Sequence, residues 1–560
     1  MKQLIVITFL FVLVSFQTRS QTLVDEAEAE SGVLTGVAIA NQTGSSSGNY
    51  VTGFDNDGDK VTVIMSVPTS GMYQLVVRYR ATLGAKVQDL YVNDVFTANL
   101  NFSSSSDFTD LETGKIWLTT GNNTLAIQKN WGYMDVDKFS LYTTIPNNYD
   151  NITTSLIDPL ATTSTKQLYA FLTSQFTKRT ISGQTDEKYA DVKTLTGKSP
   201  LLRAYDLLTY SPEYPYNWDN GGFAFGPVDN GTVESAINWY NSTDKKGVVS
   251  FHWHWYSPSG GTVGTNTFYT TYTTFDVSQA VINGTQENTE ILRDIDAIAV
   301  QLKKLRDADV PVLWRPLHEA SGGWFWWGAK GSSPCLALYD ILFDRITNYH
   351  GIHNLIWVWS TPESDWYPGN EKVDVIGYDS YPGEYNYITQ KNVFDQLYNV
   401  VQGQKLIAMS ENGPIPDVEL CFAQDAPWLY YMSWNQLVFD QNSNEHINDV
   451  YKSPYVVTLE NIADPAPEGP PVIPVVTSTA VSPETEVSVY PNPFKDNLVI
   501  PDVIWAQHPR KVTLYNMHGV MIWESATFNQ SIPLEGISKG VYILKISLQD
   551  EVLNFKIVKE

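Results

Sequence analysis

Between residues 155 and 462, short apolar runs of strand character alternate with helical stretches, and this alternation constrains the fold more than any other feature of the chain. Eight candidate strands can be marked: Thr180–Gln184, Leu201–Tyr205, Gly247–Trp253, Val312–Pro316, Leu355–Trp359, Val373–Tyr378, Lys405–Met409 and Leu429–Trp434. The clearest helix between them is Ile291–Leu305, where Ile291, Ile295, Ile298, Leu302 and Leu305 recur every three or four positions. Leu338–Tyr349 shows the same spacing. Eight strand–helix units in succession predict an α/β fold, a (β/α)8 TIM barrel. Chemistry in that architecture gathers where strands end at their C-terminal side. Several candidate strands do finish there in polar or aromatic residues: His252 and His254, His318 and Glu319, Asp379 to Tyr381, Glu411, and Trp434.

The flanks read differently. Residues 1–20 place a lysine ahead of an apolar run too short to be a membrane anchor, the pattern of a secretory signal peptide. Residues 22–144 hold short alternating runs such as Lys60–Val67 and Met72–Tyr79, broken by Gly, Asn and Ser, which predicts an N-terminal β-sandwich. A proline-rich stretch, 463–485, has the composition of a semi-rigid linker. Residues 486–560 return to short strands and predict a small C-terminal β-sandwich.

Charge narrows the partners. A formal net charge of −25 repels nucleic acid and anionic membrane surfaces and suits a neutral polymer. No second stretch of membrane length follows residue 20, so no membrane insertion is expected. Cys335 and Cys421 are too few for a disulfide framework; one bridge or two buried thiols are both open. The pair His252-x-His254 has metal-ligand character, but lacks an adjacent carboxylate in the sequence.

The stretch Pro311–Gly328, PVLWRPLHEASGGWFWWG, turns from an apolar strand to Arg315, His318 and Glu319, then to a cluster of aromatic rings. Rings of that size normally seek burial, unless they line a groove where sugars stack. Glycosidic bonds are cut by two carboxylates flanking the scissile oxygen. Among 61 acidic residues, Glu319 and Glu411 stand out, each at the end of a predicted strand with glycine close behind. They are 92 positions apart, on the fourth and seventh strands, so they face each other across the barrel mouth. Trp324 and Trp434 are the expected stacking platforms, whereas Trp326 and Trp327 are expected to pack inside. In the N-terminal segment, alternate glutamates of DEAEAE share one strand face, so Glu26 with Glu28, or Glu28 with Glu30, can grip a hard cation together with Asp137. A solvated acidic strand is the plain alternative.

WRPLHEASGGWFWW, with SENG some ninety residues later, resembles glycoside hydrolase family 26, a retaining barrel family best known for endo-β-1,4-mannanases. The resemblance implies Glu319 as acid/base and Glu411 as nucleophile. It also implies Tyr381, Arg315, His254, His318, Asp379, Trp324 and Trp434 around the substrate, with no cofactor for catalysis. DEAEAE and NWGYMDVDKFSL resemble carbohydrate-binding module family 35, which implies a structural calcium on Glu26, Glu28 and Asp137, and sugar contacts from Trp131 and Tyr133. VYPNPF, GVYILKI and the terminal FKIVKE resemble the sorting domain of the type IX secretion system of Gram-negative bacteria, which implies handling by that machinery and an extracellular or cell-surface location. The expectation is a secreted, monomeric, retaining endo-β-1,4-mannanase acting on mannan, glucomannan or galactomannan. A relative cutting β-1,3-xylan or mixed-linkage β-glucan, and a non-catalytic carbohydrate binder, are the alternatives.

Overall fold

The computed structural model describes residues 21–144, 146–217, 223–262, 264–469, 471, 489, 494–505, 509–516, 521–525, 529–534, 536–547 and 552–559. The expected signal peptide and most of the expected linker lie outside the described residues. No helix among the described residues is long and apolar enough to cross a membrane.

Eight parallel strands close into a barrel: β1 Gly183–Thr185, β2 Leu202–Asp206, β3 Val248–His252, β4 Val312–Arg315, β5 Leu355–Trp359, β6 Val375–Ser380, β7 Leu406–Asn412 and β8 Tyr431–Ser433. Parallel strands covered on both faces are largely apolar, and β3, β4, β5 and β7 are buried at every position, with the polar residues of β3, β4 and β7 gathered toward their C-terminal ends. The helices behave as their periodicity requires. Gln286–Asp307 starts at Thr285, whose side chain caps Asn288 N, and buries Ile291, Ile295, Ile298, Leu302 and Leu305 completely. Each such side chain contributes roughly 1.5–3 kcal/mol by leaving water. The predicted helix Leu338–Tyr349 is met by an α-helix, Ser332–Phe343, which continues as a π-helical turn over Asp344–Tyr349.

Residues 23–143 form two facing antiparallel sheets, of six and five strands, around Val61, Met65, Leu75, Val77, Leu125 and Phe139. The connection that follows is pinned to the barrel. Tyr149 donates its hydroxyl to Asp425 Oδ1 at 2.9 Å, and Asn147 Nδ2 donates to Asp395 Oδ1 at 2.8 Å. The C-terminal unit, by itself, carries a four-stranded antiparallel sheet and a two-stranded one over a core including Leu514, Leu544 and Ile557. Cys335 and Cys421 are both buried free thiols, so the second of the two open alternatives holds.

Candidate active site

Glu411 lies inside β7 and is only 6% exposed, so its charge must be satisfied by protein. Arg315, at the end of β4, donates Nη2 to Glu411 Oε2 at 2.5 Å, and the Tyr381 hydroxyl donates to Oε1. Both carboxylate oxygens are thereby held, which fixes the rotamer. Register shifts on both sides of β7, against β6 and against β8, re-aim this strand end toward the barrel mouth.

Arg315 is itself buried and shared. Its Nη1 donates to Asp379 Oδ2 at 2.6 Å and to Ser360 Oγ at 3.2 Å, while Ser410 Oγ donates to Asp379 Oδ1 at 2.7 Å. Asp379 was expected beside the substrate. Its side chain is instead 4% exposed with both oxygens engaged, so it braces the arginine from behind. Burial drives the Asp379 pKa well up, and the neighbouring Glu411 charge adds to this. This bracing needs Gly377, since a Cβ there would stand 2.3 Å from Ser410 Oγ.

Glu319 does not end a strand. β4 stops at Arg315, before Pro316, and Glu319 follows in a tight turn where Leu317 and Glu319 both take left-handed backbone, φ 51° and 54°. Such conformations cost on the order of 1–3 kcal/mol each and collect at functional sites. The turn is held by Glu319 N donating to Ser360 O at 3.2 Å. Trp324, 49% exposed, donates its indole N–H to Glu319 Oε2 at 3.0 Å. Its ring folds over Gly322, where a Cβ would meet it at 2.1 Å. Burial raises the Glu319 pKa, and the charge of Glu411 raises it further.

A histidine cluster floors the other side. His254 Nδ1 pairs with Asp206 Oδ2 at 2.6 Å, and His254 Nε2 is 3.3 Å from His318 Nε2. Burial works against charging His254, yet the Asp206 carboxylate overrides it and holds the pKa above the ordinary value. Burial and the Arg315 charge push His318 far down, so its ring is neutral. Trp434 lies over His252 and His254, with ring centroids 5.1 and 5.8 Å away. Trp326 and Trp327 are fully buried, donating to Trp255 O and His318 O. The structure therefore gathers Glu319, Glu411, Arg315, Tyr381, His254, His318, Trp324 and Trp434 at one end of the barrel. Asp206 was missed by the sequence reading, which ended that strand at Tyr205. The signal was a polar residue closing an apolar run.

In the sandwich, Trp131 is 62% exposed beneath the Lys86 ammonium, 5.3 Å from its ring, with Tyr133 also exposed nearby. Of the acidic repeat, Glu28 accepts from Ser46 Oγ, and Asp137 accepts from Ser46 N at 3.0 and 3.1 Å. Glu30 accepts from Ser47 Oγ. Glu26 is drawn away, pairing with Lys138 Nζ at 2.9 Å and accepting from Ser140 Oγ at 3.3 Å.

Two acidic groups at the mouth of a parallel barrel, one locked by an arginine and a tyrosine, the other half-buried with a raised pKa and overhung by tryptophan, define a glycoside hydrolase. Residues 157–461 match the family described as "Glycosyl hydrolase family 26". The chain belongs to that family. Residues 25–144 match "Carbohydrate binding module (family 35)" and residues 488–560 match "Secretion system C-terminal sorting domain", a tail that directs the protein to the cell exterior or cell surface. Among curated relatives, a "Mannan endo-1,4-beta-mannosidase" of Thermothelomyces thermophilus is 40% identical over 78% of this chain and 90% of its own length. "Mannan endo-1,4-beta-mannosidase B" of Piromyces sp is 36% identical over 74% and 73%. Among solved structures, the Podospora anserina GH26-CBM35 beta-(1,4)-mannanase matches with a TM-score of 0.56 and 38% identity, covering 78% of this chain and 98% of that one.

Proposed function

We propose that the protein is a secreted retaining endo-β-1,4-mannanase that acts as a monomer. The observation that carries the reaction type is Glu411 locked by Arg315 and Tyr381, with the raised-pKa Glu319 close enough to feel its charge. Glu411 attacks the anomeric carbon as the glycosidic C–O bond breaks, and Glu319 gives its proton to the departing oxygen. Water then attacks the same carbon, its proton passes to Glu319, and Glu411 is released. Arg315 and Tyr381 keep the nucleophile charged and aimed, with Asp379 supporting Arg315. His254 faces sugar hydroxyls, with the buried His318 ring supporting it at 3.3 Å rather than reaching the sugar itself, while Trp324 and Trp434 stack on pyranose faces. The mannan specificity is inferred from the similarity to mannanases along both the barrel and the sandwich. Reducing-sugar release should be large on galactomannan and glucomannan, and at least tenfold smaller on β-1,3-xylan and lichenan. Preference for either of the latter would displace the mannan reading in favour of the neighbouring specificity.

Tyr381→Phe should lower kcat by about 10- to 100-fold with little change in KM, the scale of one hydrogen bond to a charged group. An unchanged kcat would remove Tyr381 from the machinery.

In the sandwich, Trp131 and Tyr133 supply a sugar-binding platform. A calcium ion fits Glu28, Glu30 and Asp137 better than the Glu26, Glu28 and Asp137 set. Glu30 Oε2 is buried without a partner, and the side chains converge on the Ser46–Ser47 loop. Chelation should therefore lower the melting temperature of the sandwich transition, with Ca2+ restoring it. Glu30→Gln should abolish that response, and Glu26→Gln should leave it intact.

A further inference from the structure

The pair His252-x-His254 lacked a carboxylate in the sequence, and the fold supplies one. Asp206, closing β2, brings Oδ2 to 2.6 Å from His254 Nδ1 and 3.5 Å from His252 Nε2. One ligand atom from each of the three residues lies within 4.8 Å of the others. His252 is 2% exposed, yet neither ring nitrogen has a hydrogen-bond partner. The polar group facing this buried ring is Asp206 Oδ2 at the long distance of 3.5 Å, so its desolvation is poorly compensated within the protein.

We propose that Asp206, His252 and His254 form a binding site for a divalent transition-metal ion such as Zn2+, and that the ion inhibits the enzyme by occupying the floor of its sugar-binding groove. Bonds of about 2.0–2.2 Å at tetrahedral angles set ligand atoms roughly 3.3 Å apart. The Asp206–His252 separation of 3.5 Å already meets this, and the Asp206–His254 contact of 2.6 Å has to open by about 0.7 Å. The outer shell is in place. Asp206 Oδ1 accepts from Leu208 N at 2.9 Å and His254 N at 3.1 Å, which holds the carboxylate. A ligating histidine orients itself by donating its other N–H, and His254 Nε2 faces His318 Nε2 at 3.3 Å. Metal binding at Nδ1 thus expels the proton now held between His254 and Asp206 and leaves Nε2–H donating to His318. Asp206 and His254 side chains are 18% and 13% exposed, so the ion enters from the groove. Two imidazole nitrogens favour Zn2+, Cu2+, Ni2+ or Co2+ over Mg2+ and Ca2+.

The test uses the full-length protein, stripped with chelator and titrated with Co2+. The expected result is a strong visible d–d band of a low-coordinate nitrogen-bearing site, at one ion per chain, displaced by Zn2+. Octahedral Co2+ on the sandwich carboxylates absorbs only weakly and does not mimic it. His252→Ala should weaken Co2+ binding by at least about 100-fold. In the unmodified enzyme Zn2+ should raise apparent KM without changing kcat, EDTA should reverse this, and Mg2+ should have no effect. Should His252→Ala fail to fold, mannotriose displacing Co2+ from the unmodified protein serves in its place. That arm rests on the groove taking β-mannan, whereas the Co2+ titration does not. Absence of the band, a band unchanged in folded His252→Ala, a band indifferent to mannotriose in an enzyme that cleaves mannan, or Zn2+ lowering kcat at constant KM would each overturn the proposal.

Discussion

Replacing Glu411 with alanine is expected to lower kcat on galactomannan by about 10,000-fold or more, the scale of loss when a covalent nucleophile disappears. The fold should survive. The substitution removes one carboxylate and, with it, a charge that raises the Asp379 pKa, so Asp379 is left free to act as the partner of Arg315 at 2.6 Å and no guanidinium is stranded. The informative measurement adds azide. In the cavity left by alanine, azide attacks the anomeric carbon from the face that Glu411 used, and Glu319 still protonates the leaving oxygen. With an aryl β-mannoside, turnover should recover and the product should be the α-mannosyl azide. Substantial turnover by Glu411→Ala without azide would remove Glu411 from the nucleophile's role.

The second large effect concerns Glu319. Glu319→Gln should lower kcat on mannan by about 100- to 10,000-fold, the range general acid catalysis contributes. With an activated aryl mannoside the loss in bond cleavage should be far smaller, because the departing phenolate needs little protonation. The pH dependence has a defined sign. A general acid works only while protonated, and burial together with the Glu411 charge raises the Glu319 pKa. Activity should therefore persist above the ordinary carboxylate range and fall on the alkaline side as Glu319 ionises. Glu411→Gln removes the neighbouring charge and should lower that pKa, readable as a downward shift of the Glu319 carboxyl titration by NMR. An alkaline limb unchanged in Glu319→Gln would assign it to another group.

The sequence carried the barrel well, because buried parallel strands are nearly continuous apolar runs and the helix facing them repeats at 3.6 residues. Leu355–Trp359 and the apolar face of Ile291–Leu305 were legible for that reason. Glu411 stood out because a carboxylate closing such a run is chemically out of place, and Glu319 because it follows another such run after only a few residues. What escaped depends on pairing across the fold. Asp206 meets His254 only because β2 and β3 lie side by side in register, Asp206 opposite His252. Asp379 reads like a groove residue from its strand-end position, and only Arg315 behind it turns it inward. The acidic repeat EAEAE maps onto itself after two residues, so its register was undecidable. Pairing with Asp135–Thr143 sets Glu28 opposite Lys138 and Glu26 opposite Ser140, which leaves Glu30 beside the Ser46–Ser47 loop. Glu319 was placed on a strand end, whereas its left-handed turn is imposed by long-range contacts that no local pattern encodes.

The central claim is that Glu411 and Glu319 act across one bond at covalent-attack range, about 5–5.5 Å between carboxyl groups. Proton NMR of mannohexaose during the first moments of hydrolysis tests it most directly. The account predicts that the new reducing end appears as the β-anomer and only later mutarotates. Initial appearance of the α-anomer would contradict it, since a single displacement by water requires the wider carboxyl spacing that leaves no place for a glycosyl-enzyme.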